Sequence, residues 1–216
     1  CGDKNGNVTE QDLNRAVEAA KKQKIAVVVV GLPENYESEA FDRDHMRLPD
    51  GHNKLVEAVA KVNPNIVGVL LGGSAMELPW ADQVKAILYM GLPGQAGGQA
   101  VANLLTGKVN PSGKLTETWP VSYDDVISKD TFGKKNTEYR EGIYVGYRYY
   151  DRAGKPVRYP FGHGLSYTTF AYSNLTVCDR KVSVLVKNTG AVSGAEVVQL
   201  YIAKPHGKLP KEQKSL

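Results

Sequence analysis

Long apolar runs are missing from this chain of 216 residues: the longest is the stretch IAVVVV, Ile25 to Val30, far short of the ~20 residues a membrane-spanning helix needs. Cysteine is scarce. Cys1 and Cys178 stand at the very start and inside a late strand pattern, which offers neither a disulfide framework nor metal-ligand spacing. A dense basic face is absent too. The net charge is only +4, with the surplus in short runs such as Lys134-Lys135 and in Lys208, Lys211 and Lys214, so neither nucleic acid nor a membrane is an expected partner. No charged-then-apolar leader opens the sequence. Because it begins Cys1-Gly2-Asp3 without an initiator Met, that absence says nothing of a parent protein. The compartment stays open, a cytoplasmic one being slightly preferred to a periplasmic or secreted one.

What is present has the texture of an ordinary globular chain, long enough for one good-sized domain and part of another. Thr9, followed three residues later by Asp12, resembles a capping box, and Leu13, Val17 and Ala20 then recur at helical spacing, predicting a helix from Glu10 to about Gln23. The β-branched run IAVVVV reads as a parallel strand covered on both faces. Leu55, Val56, Val59 and Val62 give a second helix that ends before Asn63-Pro64, and Ile66 to Leu71 a second strand closed by Gly72-Gly73. Val84 to Met90 follows as a third, and the turn from Gly94 to Gly98 leads into a helix through about Leu105, stopped by Gly107. Strands alternating with helices through short turns specify an α/β fold with a mostly parallel sheet flanked by helices, here over residues 1–120.

The pattern then changes twice. Residues 121–169 form a connecting segment rich in Asp, Lys and tyrosines such as Tyr139, Tyr144, Tyr147, Tyr149 and Tyr150. From Phe170 the helical period disappears: Val182, Val184 and Val186 alternate with Ser183, Leu185 and Lys187, Asn188-Thr189-Gly190 turns, and Glu196 to Ile202 reads as another strand. This end is antiparallel β. Residues 170–216 supply under half of the ~100 residues of a complete immunoglobulin-like sandwich, so the module reads as truncated, and its unpaired edges favour association of the isolated chain into oligomers.

Several motifs invite chemistry. Asp3-Lys4-Asn5-Gly6-Asn7 begins like a calcium loop, but Val8 stands where such a loop needs Gly and Asn14 where it needs a bidentate Glu, leaving a polar turn before a helix. Gly94, Gly97 and Gly98 do not make GxGxxG and lack a following GK[ST]. His163, between Gly162 and Gly164, has no nucleophile-activating neighbour in sequence and reads as structural. No cofactor and no metal are expected. The richest stretch is ESEAFDR, Glu37 to Arg43, with Asp44 just after it. It lies behind the first strand, where the loops leaving the carboxyl edge of an open α/β sheet carry function.

Six segments in order, ESEAFDR, LPDGHNKLVEAV (48–59), MELPWADQVKAIL (76–88), PGQAGGQAVANLLTGKVNPSGKLTETWP (93–120), EGIYVGYRYYD (141–151) and YPFGHGLSYTTF (159–170), resemble the C-terminal half of glycoside hydrolase family 3 enzymes of the β-glucosidase type. The resemblance implies that residues 170–216 begin a fibronectin type III-like domain. It also implies a split active site: an attacking Asp on an N-terminal (β/α)8 barrel, which would be the partner of this chain, and an acid/base Glu on the ESEAFDR loop. The matching residue is Glu39, with Glu37 as the alternative. Asp42 and Arg43 would support the loop by pairing with each other or with nearby backbone, and Tyr36 could contact a sugar, packing being the stronger reading. Ala40 replaces the family's more usual Gly, which implies a somewhat different loop path.

Retaining hydrolysis needs both carboxyl groups, and a carboxyl that donates a proton near neutral pH must be raised by burial or by a neighbouring negative charge. The implied substrate is a β-glucoside or related oligosaccharide, and the chain without a barrel is expected to be inactive. Two other classes compete: a non-catalytic accessory or assembly module, and a nucleotide-binding α/β protein.

Overall fold

The computed structural model describes residues 2–203 and 207–216. Helix α1 (Glu10–Lys21) starts where the capping box places it: Thr9 Oγ1 accepts from the Asp12 N–H at 3.1 Å and donates to the Asp12 carboxylate at 2.9 Å. The chain continues through β1 (Ala26–Gly31), α2 (Asp50–Ala60), β2 (Ile66–Leu71), β3 (Ala86–Tyr89) and α3 (Gly97–Leu105). β1, β2 and β3 form a parallel sheet in that order, with Val28 opposite Gly68 and Val69 opposite Leu88. The α/β architecture is therefore as the strand-helix alternation requires.

The core lies between one sheet face and the first two helices. Val28, Val30, Ile66 and Leu70 meet Ala20, Leu55, Val56 and Val59, all buried, each large side chain contributing roughly 1.5–3 kcal/mol of burial. The expectation that β1 is covered on both faces is not met. Ile25, Val27 and Val29 are exposed (Val29 at 55%) because no layer covers the second face of β1 among the described residues.

β4 (Trp119–Pro120) pairs antiparallel with β5 (Val157–Tyr159), and Trp119 sits edge-on between Tyr89 and Tyr159 at 5.0 and 6.1 Å, joining this ribbon to the sheet. Between them lies α4 (Tyr147–Ala153), a seven-residue helix entered at Gly146 and left at Gly154, which the aromatic spacing does not announce. β6 (Phe170–Cys178) and β7 (Lys181–Asn188) make the expected antiparallel hairpin. The strand read over Glu196 to Ile202 reduces to β8 (Ile202–Ala203), paired with β9 (Lys214–Ser215). The stretch before β8 finds no ladder partner among the described residues. Cys1 lies outside the described residues, and Cys178 is free and exposed.

Candidate functional site

Three strands deliver their carboxyl ends to one edge, and the candidate site is built there. At the end of β1, Gly31 is pressed against β2 so closely that a β-carbon would fall 2.2 Å from the Leu71 carbonyl oxygen, which requires glycine. The His52 ring on α2 donates from Nδ1 to the Gly31 carbonyl at 2.9 Å, and burial holds its pKa below the usual value. The acidic loop leaves from this fixed point. It rejoins the core through Met46 and Leu48, where Glu77 N–H donates to the Met46 carbonyl at 2.8 Å.

Within the loop the two candidate glutamates differ sharply. Glu37 is tied down: its Oε2 accepts from the Gly73 N–H and its Oε1 from the Ser74 hydroxyl, both at 2.6 Å. Glu39 is exposed, and its carboxylate has no hydrogen-bond partner among the described residues. Ala40, next to it, holds φ 74°, the left-handed conformation that suits glycine. The alanine takes the glycine-like backbone angle and bears the strain.

Arg43 does not pair with Asp42. Its Nη1 donates to Ser74 Oγ at 2.7 Å and to the Ala75 carbonyl at 3.3 Å, while Nε and Nη2 are buried with no hydrogen-bond partner among the described residues. Its charge is compensated through space by Glu37, Glu117 and Glu77, against a burial that pulls the guanidinium below its usual pKa. Asp42 stays exposed to solvent. Tyr36 is half-buried and packs edge-on against His45, ring centroids 5.8 Å apart.

Composition and spacing did not single out Gly73, Ser74 or Glu117. The first two follow β2 directly at the same sheet edge as the acidic loop, which was the available signal. Glu117 comes from the segment entering β4. Burial pushes its carboxyl up, the Ala75 N–H and Arg43 oppose that, and Glu37 adds to it. Tyr89 completes the edge, donating from its hydroxyl to the Gly72 carbonyl at 2.8 Å; burial, Glu117 and Glu37 raise its phenol.

The other motifs settle into structural work. Asp3 spends its carboxylate on the N–H groups of Asn5 and Asn7 and on the Asn7 amide, all at 2.9 Å. A β-carbon on Gly97 would lie 2.8 Å from the Pro93 ring, so this glycine serves close packing at the turn. His163 stacks on Tyr159 at 5.0 Å, and its backbone carbonyl accepts from the Leu115 N–H at 2.8 Å. Among the described residues no cluster of three or more His, Cys, Asp or Glu could hold a metal ion, and no helix is long and apolar enough to cross a membrane.

A parallel sheet carrying a clamped acidic loop at its carboxyl edge defines a class of α/β domain with carboxylates where open sheets carry function. The family model of the glycosyl hydrolase family 3 C-terminal domain matches residues 4–167, and the chain belongs to that family. It is 48% identical to the thermostable β-glucosidase B of Acetivibrio thermocellus over 98% of its length, and 47% identical over 90% to the probable β-glucosidase K of Emericella nidulans. Among solved structures, a family 3 β-glucosidase of Bifidobacterium adolescentis superposes with a TM-score of 0.92 at 40% identity over 97% of this chain. A Kluyveromyces marxianus β-glucosidase in complex with glucose gives 0.89 at 40% identity over 95%. The chain spans 29% and 24% of the two curated relatives and 33% and 25% of the two solved chains.

Proposed function

We propose that this chain is the C-terminal part of a retaining β-glucosidase in which Glu39 is the general acid/base and the attacking Asp lies on a (β/α)8 barrel outside these 216 residues. In the first step the Asp carboxylate bonds to the anomeric carbon of a terminal β-linked glucose as the glycosidic C–O bond breaks, and Glu39 gives its proton to the departing oxygen. In the second, the Glu39 carboxylate takes a proton from water, whose oxygen replaces the enzyme carboxylate with net retention. The observation that carries the assignment is the contrast between the two glutamates. Glu37 is committed to Gly73 and Ser74, whereas Glu39 is exposed and unbonded at the crest of the same loop.

Because Glu39 is exposed here, the burial or neighbouring charge that a proton donor needs has to come from the other half of the active site. The chain alone therefore does not hydrolyse glycosides. Arg43 anchors the loop, Asp42 faces solvent, and Tyr36 packs on His45 instead of touching sugar. Residues 1–120 act as the α/β domain, 121–169 as a connecting segment, and 170–216 as the start of a fibronectin type III-like domain, a reading supported by the exposed β6–β7 hairpin.

The test compares Glu39→Gln with Glu37→Gln, either in the parent enzyme or in a chimera where this chain replaces the matching segment of the A. thermocellus relative. Glu39→Gln should lower kcat/KM for cellobiose by about 10²–10⁴-fold while sparing kcat/KM for a dinitrophenyl glucoside, whose leaving group needs no proton in the bond-breaking step that this ratio reports. The same leaving-group dependence appearing in Glu37→Gln and not in Glu39→Gln would transfer the role to Glu37.

A further inference from the structure

The Ser74 side chain touches both ends of the acidic loop. Its hydroxyl donates to Glu37 Oε1 at 2.6 Å and accepts from Arg43 Nη1 at 2.7 Å, so a single half-buried oxygen joins residue 37 to residue 43 across the crest that carries Glu39 and Ala40. A hydroxyl can serve as donor and acceptor at once; no carbon substituent can. Both bonds involve a charged group, the class that contributes most among protein hydrogen bonds. The rest of the β2 exit is held as firmly: Gly72 N–H donates to the Gly91 carbonyl at 3.1 Å, the Gly72 carbonyl accepts from Tyr89, and the Ala75 carbonyl accepts from Arg43. A β-carbon on Gly73 would sit 3.3 Å from both Glu37 carboxylate oxygens and 3.1 Å from Leu92 Cδ1, so the clamp has little room to shift. The strain at Ala40 implies a conformation imposed from outside the crest, and Ser74 bonds the residues on both sides of it.

We infer that Ser74 is a positioning residue for glycoside hydrolysis, fixing the crest of the loop by clamping its two ends and so setting where the Glu39 carboxyl meets the leaving oxygen. The inference rests on the assignment of Glu39 as acid/base. Ser74→Ala deletes both bonds and leaves Glu37 with the Gly73 N–H and Arg43 Nη1 with the Ala75 carbonyl. Ser74→Thr keeps the hydroxyl.

The experiment has two arms. In this chain, amide exchange at Tyr36 and Glu37, whose N–H groups donate to the Pro33 carbonyl at 2.8 and 3.1 Å, should quicken by about tenfold in Ser74→Ala, with the strands unchanged, and return toward wild type in Ser74→Thr. In the parent or chimeric enzyme, Ser74→Ala should lower kcat/KM for cellobiose by about tenfold and leave kcat/KM for a dinitrophenyl glucoside within about twofold, because that ratio reports the bond-breaking step, where misplacing a proton donor harms only leaving groups that need it. Arg43→Met, which removes the other half of the clamp, should reproduce both patterns and serves if the alanine variant fails to fold. Unchanged exchange in the loop, or equal losses on both substrates, overturns the inference. The outcomes separate it from the assignment beneath it: if Glu39→Gln spares cellobiose, that assignment fails, while the exchange arm still decides whether Ser74 holds the loop.

Discussion

Ala40 keeps a φ of 74°, where a β-carbon crowds the following carbonyl and costs about 1–2 kcal/mol. Ala40→Gly should therefore raise the denaturant midpoint, with a gain of roughly 1 kcal/mol and an unchanged m-value; a lower midpoint would mean that the loop relaxes around the alanine without cost. Glu117 makes a second local prediction, with the opposite sign from the usual carboxylate. Its folded pKa is raised above 4.5, first by burial, so the folded state holds the proton more tightly than the unfolded one. The stability it contributes is complete below about 4.5 and is lost as pH rises through the folded value. The unfolding free energy of Glu117→Gln minus that of the wild type should thus increase between pH 4 and pH 7, and a difference independent of pH would remove Glu117 from the account. The sequence disclosed the acids at this edge because ESEAFDR is dense and follows a strand. It did not disclose which of them is bound, since the Glu37–Ser74 bond joins side chains 37 positions apart.

At the scale of elements, what was legible is what repeats. β2 coincides with its expected limits, and α1 starts at its expected residue because a capping box and a hydrophobic period specify it. α4 was not legible: seven residues are too few to establish a helical period, and its boundaries are drawn by Gly146 and Gly154. The stretch before β8 misled for a different reason, its alternation being genuine and its ladder partner missing among the described residues. The hairpin end of the chain is fastened to the α/β body by a few polar contacts. Asn110 accepts from Ser166 Oγ and Tyr167 N–H at 2.9 and 2.8 Å and donates to the Ser193 carbonyl at 3.0 Å. Lys114 meets Glu196 at 3.3 Å, with both side chains largely buried. Asn110→Ala should release this end first, so that limited proteolysis cuts within 165–195 several-fold sooner while the body survives. Simultaneous loss of both parts would show one cooperative unit, and no change would show that Asn110 fastens nothing.

Across the whole molecule, apolar residues lie open at two places where a globular protein would cover them. Val27 and Val29 line the second face of β1, with Ile25 exposed just before it, and Leu175, Val177 and Leu185 lie exposed on the β6–β7 hairpin. Together with a length that is 24–33% of its relatives, these surfaces fit a chain that works as part of a larger enzyme. The chemistry assigned to it is likewise half of a reaction. The most direct measurement supplies azide and an activated aryl β-glucoside to Glu39→Ala in the parent or chimeric enzyme. Azide needs no general base, so it can replace water in the second step from the same face. The expected result is turnover that rises with azide and a β-glucosyl azide product of retained configuration. Cellobiose hydrolysis near the wild-type rate, with no azide product, would contradict the account.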